Sequence, residues 1–172
     1  MLIRFAPLAV VAVSVTAADA QVVRFRAVEL DALPGGLTEA NAINEAGAVT
    51  GRSGSGSIDP GSHVFTWNEA GGITNLNDFG FEFSSGAVIN DDGWVAGYGC
   101  TFPGQACVAA PFKCHPEHGA FLLDTLGGTN GQITGINAAG DVVGYWGTED
   151  DETHAFLTTA DGTTYDLGTL GG

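Results

Sequence analysis

Positive charge is scarce in this chain: five Lys and Arg stand against 20 Asp and Glu, a formal net charge of −15 at pH 7. Nucleic acid and anionic lipid surfaces are repelled by such a balance, so neither is an expected partner. The acidity is read as the solubility of an exported surface and names no specific cationic partner. Long apolar runs are also missing. The longest, Phe5 to Val15, is too short to cross a bilayer, which takes about 20 residues. After that run no stretch keeps a helical period, and 27 glycines would penalise one heavily. Nucleophile elbows, phosphate-cradling glycine loops and paired zinc-protease histidines are absent as well. No catalytic, cofactor-binding or metal-binding residue is therefore assigned, and the chain is not read as an enzyme.

The amino terminus has the order of a secretory signal: Arg4, the apolar run, then Ala18-Asp19-Ala20 as a small-x-small cleavage site. Residues 1–20 are expected to be removed, leaving 21–172 secreted or periplasmic, with no membrane attachment after cleavage. The signal takes one residue of each sign with it, so the mature charge stays at −15. What remains is enough for one domain with a core.

What the sequence does have is repetition. Ile-Asn-x-x-Gly-x-Val-x-Gly occurs at Ile43–Gly51, Ile89–Gly97 and Ile136–Gly144, with Asn44, Asn90 and Asn137 separated by 46 and 47 residues. Further landmarks keep phase: His63-Val64-Phe65, Pro111-Phe112 and His154-Ala155-Phe156, then Leu76, Leu123 and Leu167. Three units are expected at about 37–80, 81–128 and 129–172, with one extra strand near 22–33, centred on Phe25 to Leu30. Each unit resolves into four short apolar segments. In unit three they are Thr134 to Asn137, Asp141 to Trp146, His154 to Thr158 and Thr163 to Leu167. Asn-x-x-Gly supplies a side chain that bonds its own backbone and a residue tolerant of positive φ, which is hairpin chemistry. The expected fold class is all-β. Both faces of the second segment are apolar in units two and three, as in a small sheet packed between neighbours, a condition that stacked four-stranded blades meet.

Cys100, Cys107 and Cys114 are spaced by seven in a chain bound for an oxidising compartment. Cys100 and Cys107 fall in a hairpin loop inserted into unit two, whereas Cys114 takes the strand position of Trp67 and Thr158. Cys100–Cys107 is the favoured disulfide, and Cys107–Cys114 stays open as an alternative.

The repeat, together with His154-Ala155-Phe156 and Asp166-Leu167-Gly168-Thr169-Leu170-Gly171-Gly172, resembles the HAF family of bacterial extracellular repeat proteins. The resemblance covers essentially the mature chain. It implies an exported, propeller-like tandem array of three four-stranded units in preference to a β-trefoil, the alternative with three repeats of this size, and it carries no established activity. Units one and two depart from it with His63-Val64-Phe65 and Ala110-Pro111-Phe112, so His63 and His154 are not parts of one repeated catalytic device.

Residues that recur serve the fold, so binding is sought where units differ. Trp94, Tyr98, Tyr145 and Trp146 stand where unit one has Ala48, Arg52 and Ser53, and are the candidate ligand-binding residues, with packing between units as the bland reading. Cys114-His115-Pro116-Glu117-His118 gathers metal-ligand types but lacks a fourth ligand at a recognisable spacing, and reads as a polar hairpin tip. Glu149-Asp150-Asp151-Glu152 is an oxygen-rich loop of a kind that suits Ca²⁺, without the alternating spacing of a calcium loop. The expectation is a non-catalytic exported module with an interaction or structural role, taking a protein or glycan partner. The alternative is a carbohydrate-binding or hydrolytic propeller fragment. Uncovered unit faces add the expectation that the mature chain self-associates or is part of a longer array.

Overall fold

The computed structural model describes residues 10–14, 21–34, 36–54, 61–76, 80–101 and 107–169. The chain is all-β: fourteen strands and no helix among the described residues. It divides into two compact units, Met1–Leu30 and Asp31–Gly172.

In the first unit, β1 (Val10–Ser14) pairs antiparallel with β2 (Gln21–Phe25). The extra strand expected at Phe25 to Leu30 thus ends where it was expected to begin. Val22 and Val23 carry the β-propensity, and Val10–Ser14 is the partner. Residues 26–33 contain no strand. Ala18-Asp19-Ala20 lies outside the described residues, and cleavage there would remove β1.

The second unit holds three antiparallel meanders of four strands. The first is β3 (Leu37–Ile43), β4 (Val49–Gly54), β5 (Ser62–Asn68) and β6 (Gly72–Asn75). The second is β7 (Phe83–Ile89), β8 (Val95–Thr101), β9 (Val108–His115) and β10 (Gly119–Leu122). The third is β11 (Gly127–Ile136), β12 (Val142–Thr148), β13 (Thr153–Thr158) and β14 (Thr164–Gly168). A single parallel bridge, Ser62 to Phe83, joins the first two into one sheet, and no sheet closes on itself among the described residues.

Each element of the repeated motif has a physical cause. Asn44, Asn90 and Asn137 use Oδ1 to accept the backbone N–H four residues on, at 2.8, 2.9 and 2.9 Å, closing the first turn. The middle glycines, Gly47, Gly93 and Gly140, sit at φ of +78°, +86° and +86°, where a Cβ is strained. The last glycines, Gly51, Gly97 and Gly144, answer a different need. Every first strand carries a bulge, at Asn41, Ala87 and Thr134, which pushes a carbonyl toward the second strand. A Cβ at these glycines would lie 1.9, 2.0 and 2.1 Å from the oxygens of Glu39, Ser85 and Gln132.

The asparagines also join the units. Asn44 Nδ2 donates to the carbonyl of Asn90 at 2.9 Å, and Asn90 Nδ2 to the carbonyl of Asn137 at 3.0 Å, so the first strands lie side by side. In unit three the same donor turns back onto Asp141 Oδ2 at 2.8 Å.

The core lies between meanders. Val64 and Leu76 of the first pack on Val95, Phe112 and Cys114 of the second. Ala96, Ala109 and Leu123 of the second pack on Ile133, Val142, Trp146 and Phe156 of the third. The outer face of unit three presents the same positions to solvent. Thr50 and Ala96 are 0 % exposed but their counterpart Val143 is 41 %, and Leu76 and Leu123 are 5 % and 7 % exposed against 58 % for Leu167. The opposite face, on unit one, is covered, with Val49, Phe65 and Trp67 all buried. Beside it, Leu33 N–H donates to Ser53 Oγ at 2.8 Å.

Candidate functional site

A cleft of about 630 Å³ opens where the three first strands meet, lined by matching positions of each unit. In each unit one residue of the first strand faces one of the second across the ladder: Glu39 opposite Arg52, Ser85 opposite Tyr98, Gln132 opposite Tyr145. The rung is repeated, but its chemistry differs each time. The first is an ion pair, with Arg52 Nε donating to Glu39 Oε2 at 2.8 Å and the guanidinium 5.6 Å from the Phe83 ring. The second sets the half-buried Tyr98 ring against Phe83, centroids 5.9 Å apart. In the third, the exposed Tyr145 hydroxyl donates to Gln132 Oε1 at 2.8 Å.

The bulges aim further groups at the cleft. Asn41, Ala87 and Thr134 all line it. Asn41 Nδ2 is tied to Ser85 Oγ at 3.1 Å and to the Gly86 carbonyl at 2.8 Å, leaving its Oδ1 acceptor directed elsewhere. Glu39 is the sole carboxylate among the described residues that line the cleft, and it is paired with Arg52.

Of the four aromatic candidates, Tyr98 lines the cleft, Tyr145 reaches it only through its bond to Gln132, and the other two lie elsewhere. Trp146 is 1 % exposed, packs in the core between units two and three, and donates Nε1–H to the Gly128 carbonyl at 3.1 Å. It is a core residue and not the ligand-binding residue its variation suggests: Ser53 in unit one is buried too, so the position is variable but interior. Trp94 packs in the outer hairpin of unit two, against His115 at 5.1 Å, His118 at 5.7 Å and Phe121 at 6.0 Å. Lys113 Nζ lies 5.1 Å from its ring. A separate groove of about 570 Å³ runs past Trp94, Phe121 and Asp161.

Lys113 belongs to no motif that would mark it in the sequence. Buried, it donates to the carbonyls of Gly140 and Ala160, both at 3.2 Å, and so clamps unit two to unit three. Desolvation lowers its pKa, against the opposing pull of Asp141 and Asp161.

Cys100 and Cys107 form a disulfide with Cα atoms 5.4 Å apart, and Cys114 is a buried thiol in the core between units one and two. The His115 ring is committed on both sides: Nδ1 accepts Glu117 N–H at 3.0 Å, which makes Nε2 the protonated nitrogen that donates to the Asp92 carbonyl at 3.0 Å. Neither nitrogen then offers a lone pair to a metal. At the acidic loop Glu152 turns to His154, Oε2 to Nε2 at 3.3 Å, and the other face of that ring meets the Asp166 carboxylate at 2.9 Å. The hydrogen bond that His154 donates to Asp166, then that to Glu152, raise the His154 pKa. The motif histidine thus fastens β13 to β14. No group of three His, Cys, Asp or Glu poised for a cation occurs among the described residues.

No protein family, curated protein or solved structure matches this chain.

Proposed function

We propose that the protein is a non-catalytic, exported, propeller-like repeat module that works by binding a partner at the first-strand cleft. The observation that carries this reading is the set of three rungs. Fold-determining positions repeat their chemistry at Asn44, Asn90 and Asn137, whereas positions of identical register at Glu39, Ser85 and Gln132 do not, as expected where a surface is shaped for a ligand. Sequentially paired four-stranded meanders with the core between them support a propeller-like array over a trefoil, which needs strands of different repeats to close a barrel. The pairing of Glu39 with Arg52 supports a binding role over glycoside hydrolysis, which uses two carboxylates. The HAF resemblance and the signal-like amino terminus support export.

Amide chemical-shift mapping during addition of extracellular peptides and oligosaccharides tests the reading. Perturbations should concentrate in β3, β7 and β11. A ligand whose effects leave those strands untouched would refute the cleft as the working surface.

A further inference from the structure

We infer that the cleft takes a neutral, polyhydroxylated ligand: an uncharged oligosaccharide segment seated with one sugar face on Tyr98 and its hydroxyls on the polar atoms around it. The inference rests on the cleft being the binding surface and goes on to name what it binds.

Charge narrows the ligand first. The cleft is formally neutral, since Glu39 and Arg52 satisfy one another, on a molecule of net charge −15. An anionic glycan would meet repulsion with no unpaired cation to offset it, and a cation would find one already neutralised carboxylate.

Hydrogen-bonding capacity narrows it again. Gln132 accepts from Tyr145 through Oε1 and keeps two Nε2 donors, Asn41 keeps Oδ1, and Ser85 Oγ, having accepted from Asn41, keeps its proton. Together with the Tyr98 hydroxyl, these form a mixed set of donors and acceptors lining the cleft. A sugar ring presents hydroxyls that act as both. β3 and β11 end their sheets and keep one open edge each, but the polar groups left over in the cleft are side chains drawn from three separate units, a set that suits the scattered hydroxyls of a sugar better than the evenly spaced main chain of a peptide strand.

The floor completes the argument. Tyr98 lies against Phe83, whose ring also carries the Arg52 guanidinium, so the aromatic surface is fixed in place before any ligand arrives. An amphipathic ring of modest rigidity is the surface on which the apolar C–H face of a pyranose rests. The cleft volume, about 630 Å³, falls in the range of small-molecule sites and admits a few sugar rings.

The test is titration calorimetry of the full chain, in its oxidised form, with neutral cello-, xylo-, manno- and chito-oligosaccharides and with a uronic-acid oligosaccharide of matched length. At least one neutral series should bind, and the uronic-acid series should not. Tyr98→Ala should weaken binding about tenfold, the order expected for loss of an aromatic contact. Gln132→Ala should weaken it less, and Trp94→Ala should leave it unchanged. Circular dichroism of each variant confirms that the fold survives. Binding of the uronic-acid series alone, or sensitivity to Trp94→Ala without sensitivity to Tyr98→Ala, would overturn the inference. A peptide that binds the cleft while every neutral glycan fails would overturn it too, yet leave the cleft as the working surface.

Discussion

The three first strands do the same thing at one end and three different things a few residues away. At the turn end, Asn44, Asn90 and Asn137 each cap their own hairpin with the same atom, at 2.8, 2.9 and 2.9 Å, and two of them reach the next unit. At the rung level the pairs are Glu39–Arg52, Ser85–Tyr98 and Gln132–Tyr145. The backbone is alike at both levels, bulge included. The comparison teaches that the repeat constrains residues only where their side chains or lack of one shape the main chain, and leaves a neighbouring register open to variation. Adjacent parts of one strand thus carry fixed and variable chemistry separately.

The sharpest way to break the comparison is at the glycine that faces the bulge carbonyl. Gly97→Val should prevent folding, a loss above about 4 kcal/mol, because its Cβ would lie 2.0 Å from a backbone oxygen that cannot swing aside. Recovery of a soluble variant with a native-like circular dichroism spectrum would contradict the close approach. Next comes Asn90→Ala, which removes the turn cap and the bond to the Asn137 carbonyl from a buried site. On the order of 2–3 kcal/mol should be lost in urea denaturation. A midpoint equal to the wild type would show that the joint between units does not depend on this side chain.

Gly140→Val should cost about 1–3 kcal/mol by forcing a β-branched residue to a φ of +86°, while Ala139→Val, one residue earlier in the same turn, should cost less. Equal denaturation midpoints would remove the turn assignment. At the rung level the expectation reverses. Tyr145→Phe, which loses one exposed hydrogen bond, should change stability by less than about 0.5 kcal/mol. A large loss there would mean that the rungs serve the fold after all.

The smallest effect is electrostatic. His154 has a raised pKa in the folded state and Asp166 a lowered one, each through their mutual hydrogen bond first. A raised histidine pKa stabilises fully below the ordinary value of 6.5 and is lost as pH rises through the folded value. A lowered carboxylate pKa stabilises above the ordinary 3.8 and is lost as pH falls through the folded value. The pair therefore contributes most between about pH 4 and pH 6.5, and His154→Gln should flatten the slight decline in thermal midpoint above that window. An unchanged pH profile would exclude the pair as its source.

Much of the fold is legible in the sequence because its causes are local. Asn-x-x-Gly announces a turn within five residues, and β12, β13 and β14 fall close to the apolar segments that suggest them, whereas β11 begins at Gly127, well before the expected Thr134 to Asn137 segment. What is hidden depends on register. Nothing in Asn41, Ala87 and Thr134 shares a side-chain chemistry that would mark a bulge, so the carbonyl that demands Gly51, Gly97 and Gly144 is invisible until the strands are paired. Trp146 is misread for a related reason. Its position varies from Ser53, and variation on a strand suggests a binding face, yet alternation along β12 puts Trp146 on the same inward face as Val142, just as Ser53 shares the face of the buried Val49. The candidate site was half legible. Tyr98 and Tyr145 stand out as aromatics that replace Arg52, but their partners Ser85 and Gln132 look like ordinary polar strand residues until the ladder sets them opposite.

The bond that runs from one asparagine to the next has a genealogical side. Its donor and its acceptor belong to the same residue type in successive units, and the acceptor is main chain, present whatever side chains drift around it. A stretch of coding sequence copied in tandem would bring both halves of the junction with it and need no matching change in its neighbours. Lys113 is the contrast, a fastening peculiar to one junction that a fresh copy would have to do without. Lineages built this way can lengthen by duplication first and diversify their rungs afterwards.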